Sequence, residues 1–293
     1  MSRWKAELAL GFNAVVWGAT FVLVKGALHR ISPVLFLVLR FSLATLALGA
    51  LFRGRWKGRS PEAPHVTPKM VAAGAMIGVI LFAGFLLQTL GLQSTTAPKS
   101  AFLTGLATVM IPLMAALVYK IRPRVSEVAG VMAATLGMGL MTLEGPFGSI
   151  NRGDLLTVGC AIAFAAHVVA TGHFAERIGF ELLSITQVGA AALSALSLVW
   201  WVETPRIQWQ PLVVWAILIM GLLCTALAFT IQAWAQRYTT STRTALIYAL
   251  EPVVAWITSY SITGVGLSGQ AAAGAALILT GVLVVETKPF QPR

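Results

Sequence analysis

Long apolar segments alternate with short polar connections along the whole chain. Each segment is close to the roughly 20 residues that an α-helix needs to cross about 30 Å of hydrocarbon. Alternation with a period of two residues, which is typical of barrel strands, is absent. The pattern therefore predicts an all-α integral membrane protein. Its ten transmembrane helices are expected at about residues 7–28, 33–52, 70–92, 98–119, 125–143, 154–175, 180–202, 212–234, 244–264 and 270–286.

Composition and charge agree with this pattern. Hydrophobic residues make up 57% of the 293 residues and charged residues 11%, with a mean hydropathy of +0.82, which excludes a soluble globule. The net charge of +11 does not indicate nucleic acid, because 15 of the 21 Lys and Arg residues lie on one side of the predicted helices. Positive residues mark the cytoplasmic side of a membrane protein. Both termini are therefore predicted to be cytoplasmic, in the bacterial plasma (inner) membrane.

The chain contains an internal duplication. The segment TTAPKSA at residues 95–101 corresponds to TTSTRTA at residues 239–245, at an offset of 144 residues. The two halves, 1–149 and 150–293, then carry five predicted helices each. Because five is an odd number, the halves must be inverted and related by a pseudo-twofold axis in the membrane plane. They are expected to form one unit that works by alternating access.

Two pairs of glycines share the offset of 144 residues. Gly130 corresponds to Gly274, and Gly137 corresponds to Gly281. Small residues let helix backbones approach closely in a membrane. These positions predict close packing of helices 5 and 10, either within one protomer or in a homodimer through these two helices.

Prolines interrupt the fourth and ninth predicted helices. Pro112 and Pro252 each remove a backbone N–H and clash with the preceding turn. In lipid the freed carbonyl groups need partners from neighbouring helices. The two prolines are therefore either packing kinks or hinges beside a central path.

Three charged residues fall inside predicted helices, where charge is costly and usually faces the interior of the bundle. Lys25 and Arg40 would make the outer part of a cavity positive and attract carboxylates. Alternatively, Lys25 reaches the lipid headgroups and Arg40 binds carbonyls at a helix end. Glu251 is a candidate for proton exchange, or for a hydrogen bond that fixes the kink in its helix. Each has an uncharged counterpart in the other half: Gly172 for Lys25, Gln187 for Arg40 and Ile111 for Glu251.

Uncharged polar and aromatic residues also recur inside the predicted helices. Amide side chains both donate and accept hydrogen bonds, which suits recognition of amino or carboxyl groups, and aromatic faces suit an apolar ligand. Hydrogen bonding between helices and ordinary packing are the alternative explanations. The candidates for substrate binding are Trp17, Gln88, Thr104, His167, Gln232 and Tyr248.

Several classes of protein lack support in the sequence. The chain has no GxxxxGK[ST] phosphate loop, which disfavours an ATP-driven pump. A polytopic membrane enzyme would need a cluster of His, Asp or Glu, and the ten acidic residues are spread along the chain. Cys160 and Cys224 lie in predicted helices and indicate neither a disulfide framework nor a thiolate metal site. No cofactor, metal, nucleic acid partner or enzymatic activity is expected.

Three short motifs resemble a known family. They are the WGATF run at residues 17–21 with Lys25, the LRF segment at 39–41, and the TALIYALEP segment at 244–252. In combination they resemble the ten-helix EamA-type transporters of the drug/metabolite transporter superfamily, most of all the YddG group of aromatic amino acid exporters. The resemblance implies two inverted five-helix repeats around a central cavity, with efflux from the cytoplasm.

The expected function is that of a secondary transporter. It would export small metabolites, amino acids and aromatic ones among them, through the central cavity. The alternative within transport is a multidrug or organic-cation exporter, which needs a buried acid that faces the cavity; Glu251 is the candidate. A polytopic membrane enzyme is the third hypothesis, for which the sequence offers no cluster of acidic residues or histidines.

Overall fold

The computed structural model describes residues 3–57, 66–95, 100, 103–120, 124–142, 151–263 and 268–286. Nearly all of these residues lie in helices, which are joined by short connections. The predicted all-α class is therefore confirmed. The described residues form eleven helices: α1 (Arg3–Leu28), α2 (Pro33–Lys57), α3 (Pro68–Gly91), α4 (Ala107–Tyr119), α5 (Val125–Thr142), α6 (Arg152–Ile178), α7 (Phe180–Val202), α8 (Pro211–Ala235), α9 (Ser241–Tyr248), α10 (Glu251–Thr263) and α11 (Gly269–Glu286).

The ninth predicted helix was expected to be continuous over residues 244–264, and this expectation was wrong. Helix α9 ends at Tyr248, and Ala249 and Leu250 form a turn before α10 begins. The break follows from Pro252, which is the second residue of α10. The first N–H groups of a helix have no intrahelical partner, so a proline at this position costs no helical hydrogen bond.

Several helix ends are fixed by local hydrogen bonds. The Thr240 side chain accepts from the backbone of Arg243 at 3.3 Å, which starts α9 at Ser241, three residues earlier than predicted. Asn151 and Asp154 form a reciprocal capping box at the start of α6. Such caps satisfy N–H groups that lack a helical partner.

One residue joins α6 to α7. Gly179 has a φ of 81°, a conformation that side chains with a Cβ rarely adopt. The two long helices therefore reverse direction in a single step.

The surface is suited to lipid. Among the described residues, five helices are long and apolar enough to cross a membrane, namely α2 (over Pro33–Gly54), α3, α6, α7 and α8, and shorter apolar helices cover Leu103–Tyr119, Val125–Leu140 and Gly269–Val284. Large apolar side chains point outward from the bundle; Trp201 is 87% exposed and Leu117 is 79% exposed. Exposed apolar area on this scale needs an apolar surrounding. The chain is therefore a membrane protein.

Helices α5 and α11 pack backbone against backbone. A Cβ on Gly137 would lie 2.5 Å from the carbonyl oxygen of Gly274, and one on Gly281 would lie 2.6 Å from that of Gly130. The four glycines thus face each other within one chain and are not free for a partner. A homodimer through these two helices stays a prediction, and it would have to use their outward faces.

A second set of contacts is also exchanged between the halves. Thr95 donates a hydrogen bond to Asp154 at 2.6 Å, and Thr239 donates one to Glu7 at 3.1 Å. The threonines are 144 residues apart and the acids 147, so each half supplies one threonine and one acid.

We expect the glycine contact to contribute strongly to stability. Gly137→Ala forces α5 away from α11 and should lower the free energy of unfolding by about 1–3 kcal/mol, the usual cost of overpacking. Thermal unfolding in detergent measures this as a drop in Tm. Gly11→Ala is the matched control, because nothing lies within 4 Å of its Cβ position. Equal Tm values for the two variants would contradict the packing role.

Candidate functional site

A cavity of about 160 Å³ lies in the middle of the bundle, between helices of both halves. An apolar cavity of about 150 Å³ holds a benzene ring, so the space suits a small organic molecule. All six candidates for substrate binding line this cavity, together with two of the three charged candidates. These eight residues are Trp17, Gln88, Thr104, His167, Gln232, Tyr248, Arg40 and Glu251.

One wall of the cavity is aromatic. The rings of Trp17 and Tyr248 meet edge to face with their centroids 4.9 Å apart, and Phe229 lies 5.4 Å from Trp17. Phe85 contacts Phe164 at 4.9 Å and Phe229 at 6.1 Å. Rings in these arrangements hold one another in place. The wall therefore offers a fixed aromatic surface to a ligand.

A π-helical segment of α8 orients two of the lining residues. Residues Ile219–Leu227 adopt this wider turn, in which the Thr225 hydroxyl donates to the carbonyl of Met220, five residues earlier, at 2.6 Å. The carbonyl of Cys224 accepts a hydrogen bond from the indole N–H of Trp17 at 2.9 Å. Such segments frequently occur at functional sites because they expose backbone groups that a regular helix would use internally.

Arg40 reaches the cavity from α2 and is only 2% exposed. Its Nε donates to the Thr225 hydroxyl at 2.6 Å, and its guanidinium carbon lies 4.1 Å from the ring centroid of Phe85. Its Nη2 has no hydrogen-bond partner among the described residues. Arg40 is therefore held by a hydroxyl and a ring, and the alternative that it binds carbonyls at a helix end finds no hydrogen bond to support it.

Glu251 is the first residue of α10 and is half-buried on the cavity wall. No hydrogen bond or ion pair joins its carboxylate to another described residue. The unpaired N–H groups at a helix start favour negative charge nearby. The proposed hydrogen bond that fixes the kink is thus absent from the described part of the chain.

His167 has partners within the protein. Its Nε2 is 2.8 Å from the amide oxygen of Gln187 and 3.5 Å from the hydroxyl of Thr171. Its ring also meets Phe229 edge to face. His167 thus lines the cavity while it is fixed by its neighbours.

The two glutamines of the repeat are also hydrogen-bonded. Gln88 donates to the Thr104 hydroxyl at 3.4 Å, and Gln232 donates to Gln236 at 3.1 Å. Gln236 in turn donates to the carbonyl of Val168 at 2.9 Å. The first contact is long and half-buried, so Gln88 can exchange it for a ligand more easily than Gln232 can.

Three sequence candidates lie elsewhere. Lys25 is exposed near the end of α1 and is not among the residues that line the cavity. Pro112 is buried within α4 and is also not among them. Pro252 follows the break between α9 and α10, directly after Glu251. The prolines therefore shape helices that carry lining residues.

The cavity is closed towards the N-terminus of α1. Seven successive residues of α9, Ser241–Ile247, are buried there. Arg243 forms an ion pair with Glu7 at 3.3 Å, and the same carboxylate accepts from Thr239 and pairs with Arg3. We call Glu7, Thr239 and Arg243 the N-terminal seal. Towards the opposite end the lining extends to Leu92, past the end of α3, and to Val24 and Phe36 on either side of the α1–α2 turn.

Some residues that support the site could not be identified from the sequence. Thr225 and the backbone of Cys224 hold Arg40 and Trp17, but a π-helical segment has no hydrophobic periodicity that distinguishes it. Gln187 had a signal, because the repeat aligns it with Arg40, and yet its bond to His167 required the fold. Among the described residues, no group of three or more His, Cys, Asp or Glu side chains comes together to hold a metal ion.

Comparison with known proteins gives concordant matches. The model of the EamA-like transporter family matches two stretches, residues 4–143 and 151–287. An uncharacterized transporter of Archaeoglobus fulgidus is 31% identical over 98% of this chain and 88% of its own length. The uncharacterized transporter YvbV of Bacillus subtilis is 25% identical over 98% and 93%. A solved crystal structure with 24% identity has the same fold, with a TM-score of 0.77 and 97% of each chain covered. The chain therefore belongs to the EamA-like transporter family and is a membrane transporter.

Proposed function

We propose that the protein is a secondary transporter that exports small metabolites, chiefly amino acids with aromatic or bulky apolar side chains. The observation that carries this proposal is the cavity between the two halves, where an aromatic wall adjoins an arginine and a glutamate. The resemblance of the sequence to the YddG group supports the same substrate class. The protein would act in the bacterial plasma membrane.

Alternating access follows from the duplication. The family model matches each half separately, and two sets of contacts are exchanged between the halves. Both observations support two inverted five-helix repeats, residues 1–149 and 150–293. In this arrangement α9 and α10 together form one span, which gives ten. Inverted repeats around a central site are a common basis of transport.

The described conformation is closed on the side of the N-terminal seal, and the reciprocal bond between Thr95 and Asp154 is formed at the opposite end as well. Positive loops put both termini in the cytoplasm, so the N-terminal seal would be the cytoplasmic closure. The lining reaches the opposite end of the bundle, which would be the periplasmic side. Export then requires the two ends to open in turn.

An organic-cation exporter is the second candidate. The observation that favours it is the carboxylate of Glu251, which lines the cavity and has no partner among the described residues. A flux panel in proteoliposomes distinguishes the candidates by comparing aromatic amino acids, aliphatic amino acids and organic cations.

We expect that panel to show flux of the aromatic amino acids above that of the cations. Trp17→Ala removes the ring that contacts both Tyr248 and Phe229, so it should lower aromatic amino acid flux at least about tenfold, the effect of losing a buried ring contact and its hydrogen bond. Trp201→Ala is the control, because that ring is 87% exposed. Preferential flux of cations would support the second candidate, and no flux of either class would contradict both.

Topology gives an independent prediction. Reporter domains fused after Arg55 and after Arg293 should both report the cytoplasm, because the basic loops mark that side. Alkaline phosphatase and green fluorescent protein fusions give opposite signals on the two sides of the membrane. A periplasmic signal at either position would refute the inverted arrangement.

The seal gives a conformational prediction. Arg243→Gln leaves Glu7 without that cation, and loss of one partner of a buried ion pair is costly, so the closed cytoplasmic end should be destabilised. A cysteine at Gln232, in a background with Cys160→Ala and Cys224→Ala, should then react about tenfold faster with a charged thiol reagent applied from the cytoplasm. This corresponds to about 1.4 kcal/mol.

The double variant Glu7→Gln/Arg243→Gln should react more slowly than Arg243→Gln alone, because no charge is left unpaired between these two positions. Arg177→Gln, an exposed basic residue at the same end of the bundle, is the matched control. Unchanged reactivity in Arg243→Gln would refute the role of the seal.

A further inference from the structure

Two charged side chains of opposite sign line the cavity, and neither forms an ion pair with a described residue. Arg40 comes from α2 in the first half, and Glu251 comes from α10 in the second half. No ion pair joins them to each other or to another described residue. Charged groups inside a membrane are costly when unpaired, and they mark the path of a charged ligand.

The Arg40 side chain is only partly satisfied by the protein. Thr225 takes the Nε–H, whereas Nη2 is buried without an acceptor among the described residues. A guanidinium has five N–H donors in a planar fork that matches a carboxylate. The arrangement leaves the end of this fork for an anionic group in the cavity.

The Glu251 side chain offers the complementary group. Its carboxylate accepts hydrogen bonds only, and it has no donor from the described residues. An ammonium group supplies three donors and the missing positive charge. A substrate ammonium is therefore a suitable partner for this carboxylate.

One turn of α1 contacts the supports of both Arg40 and Glu251. Trp17 binds the Cys224 carbonyl, next to the Thr225 that holds Arg40. The adjacent Gly18 packs on the backbone of Glu251, since a Cβ there would lie 2.6 Å from its carbonyl oxygen. The positive and negative groups therefore flank the aromatic wall that begins at Trp17.

From these contacts we propose that the cavity binds zwitterions, with the substrate carboxylate on Arg40, the substrate ammonium on Glu251 and the apolar side chain against the aromatic wall. The proposal rests on the proposed function and names its substrate class by charge. A simple organic cation would leave Arg40 without an anion, and a simple acid would leave Glu251 without a cation. Only a substrate with both groups pairs both residues.

Thr225 has a positioning role in this arrangement. Its hydroxyl is fixed by the Met220 carbonyl and holds the Nε of Arg40. It does not line the cavity, so it acts on the substrate through the direction of the guanidinium.

Equilibrium binding to the purified protein tests the proposal. Titration calorimetry would use three probes with the same ring: phenylalanine as the zwitterion, phenethylamine as the cation and 3-phenylpropionate as the anion. Leucine, isoamylamine and 4-methylpentanoate form a parallel aliphatic set, so that the choice of side chain does not decide the result. We expect the wild type to prefer the zwitterion in at least one set.

Each variant should weaken binding only of the probes that carry the charge its residue recognises. Arg40→Gln introduces the residue that the second half carries at the corresponding position, and it should weaken zwitterion and anion binding about 10- to 100-fold without weakening cation binding. Glu251→Gln should weaken zwitterion and cation binding to a similar extent and spare the anion. Glu176→Gln, at an exposed acid outside the cavity, should bind all probes as the wild type does.

Thr225→Val provides a second test that leaves both charges in place. It should weaken zwitterion and anion binding severalfold and spare the cation, even if Arg40→Gln does not fold. Equal weakening of all three probes, or no weakening, in the folded variants would overturn the proposal. A wild type that prefers the cation would overturn it as well.

The failure of the proposed function has a different signature. If the wild type neither binds nor transports any amino acid, the proposed function fails and the charge assignment fails with it. If it transports amino acids but Arg40→Gln and Glu251→Gln do not separate the probes, only the charge assignment fails.

Discussion

A polar group in the hydrocarbon core has no water to bind, so it must find a partner in the protein or in a ligand. Most of the described interior meets this requirement through its own helices. The carbonyl of Cys224 accepts a hydrogen bond from Trp17, Gln187 bonds to His167, and Gln236 donates to the backbone of α6. Arg40 and Glu251 differ from this background, because neither forms an ion pair with a described residue and both line the same cavity. The same constraint that organises the helices is therefore the basis for proposing that these two residues bind a ligand.

The requirement also explains how a closed end can be reopened. The N-terminal seal uses an ion pair and a hydroxyl bond at the edge of the bundle, and the opposite end uses a bond between Thr95 and Asp154. Such contacts are individually modest and can be exchanged for water at a helix end. The glycine contacts of α5 and α11, in contrast, bring backbones together and have no substitute partner. Movement is thus expected at the ends of the bundle, while the α5–α11 contact stays intact.

The repeat in the sequence relates the two halves, but several residues that line the cavity differ between them. Arg40 corresponds to Gln187 in the second half, and Glu251 corresponds to Ile111 in the first. Gln187 binds His167, whereas Arg40 is held by Thr225 in the π-helical segment. The proposed twofold scaffold would support two alternative closures, but a substrate with different groups at its two ends needs different residues to bind them. We therefore expect the differences between the halves to determine the substrate specificity.

Some of this could be read without coordinates, because the periodicity of apolar residues and the repeat are properties of the chain itself. They determined the all-α membrane class, the candidates around the cavity and the close packing of the two helices that carry Gly137 and Gly281. The hydrophobic pattern did not reveal the break before Glu251, which follows from Pro252, or the π-helical segment of α8, since neither changes that pattern. Nor could it tell which intramembrane charges face inward: Lys25 and Arg40 were equivalent in sequence, but only Arg40 is turned towards the cavity. That choice depends on the rotation of each helix against its neighbours, which only the packed tertiary structure decides.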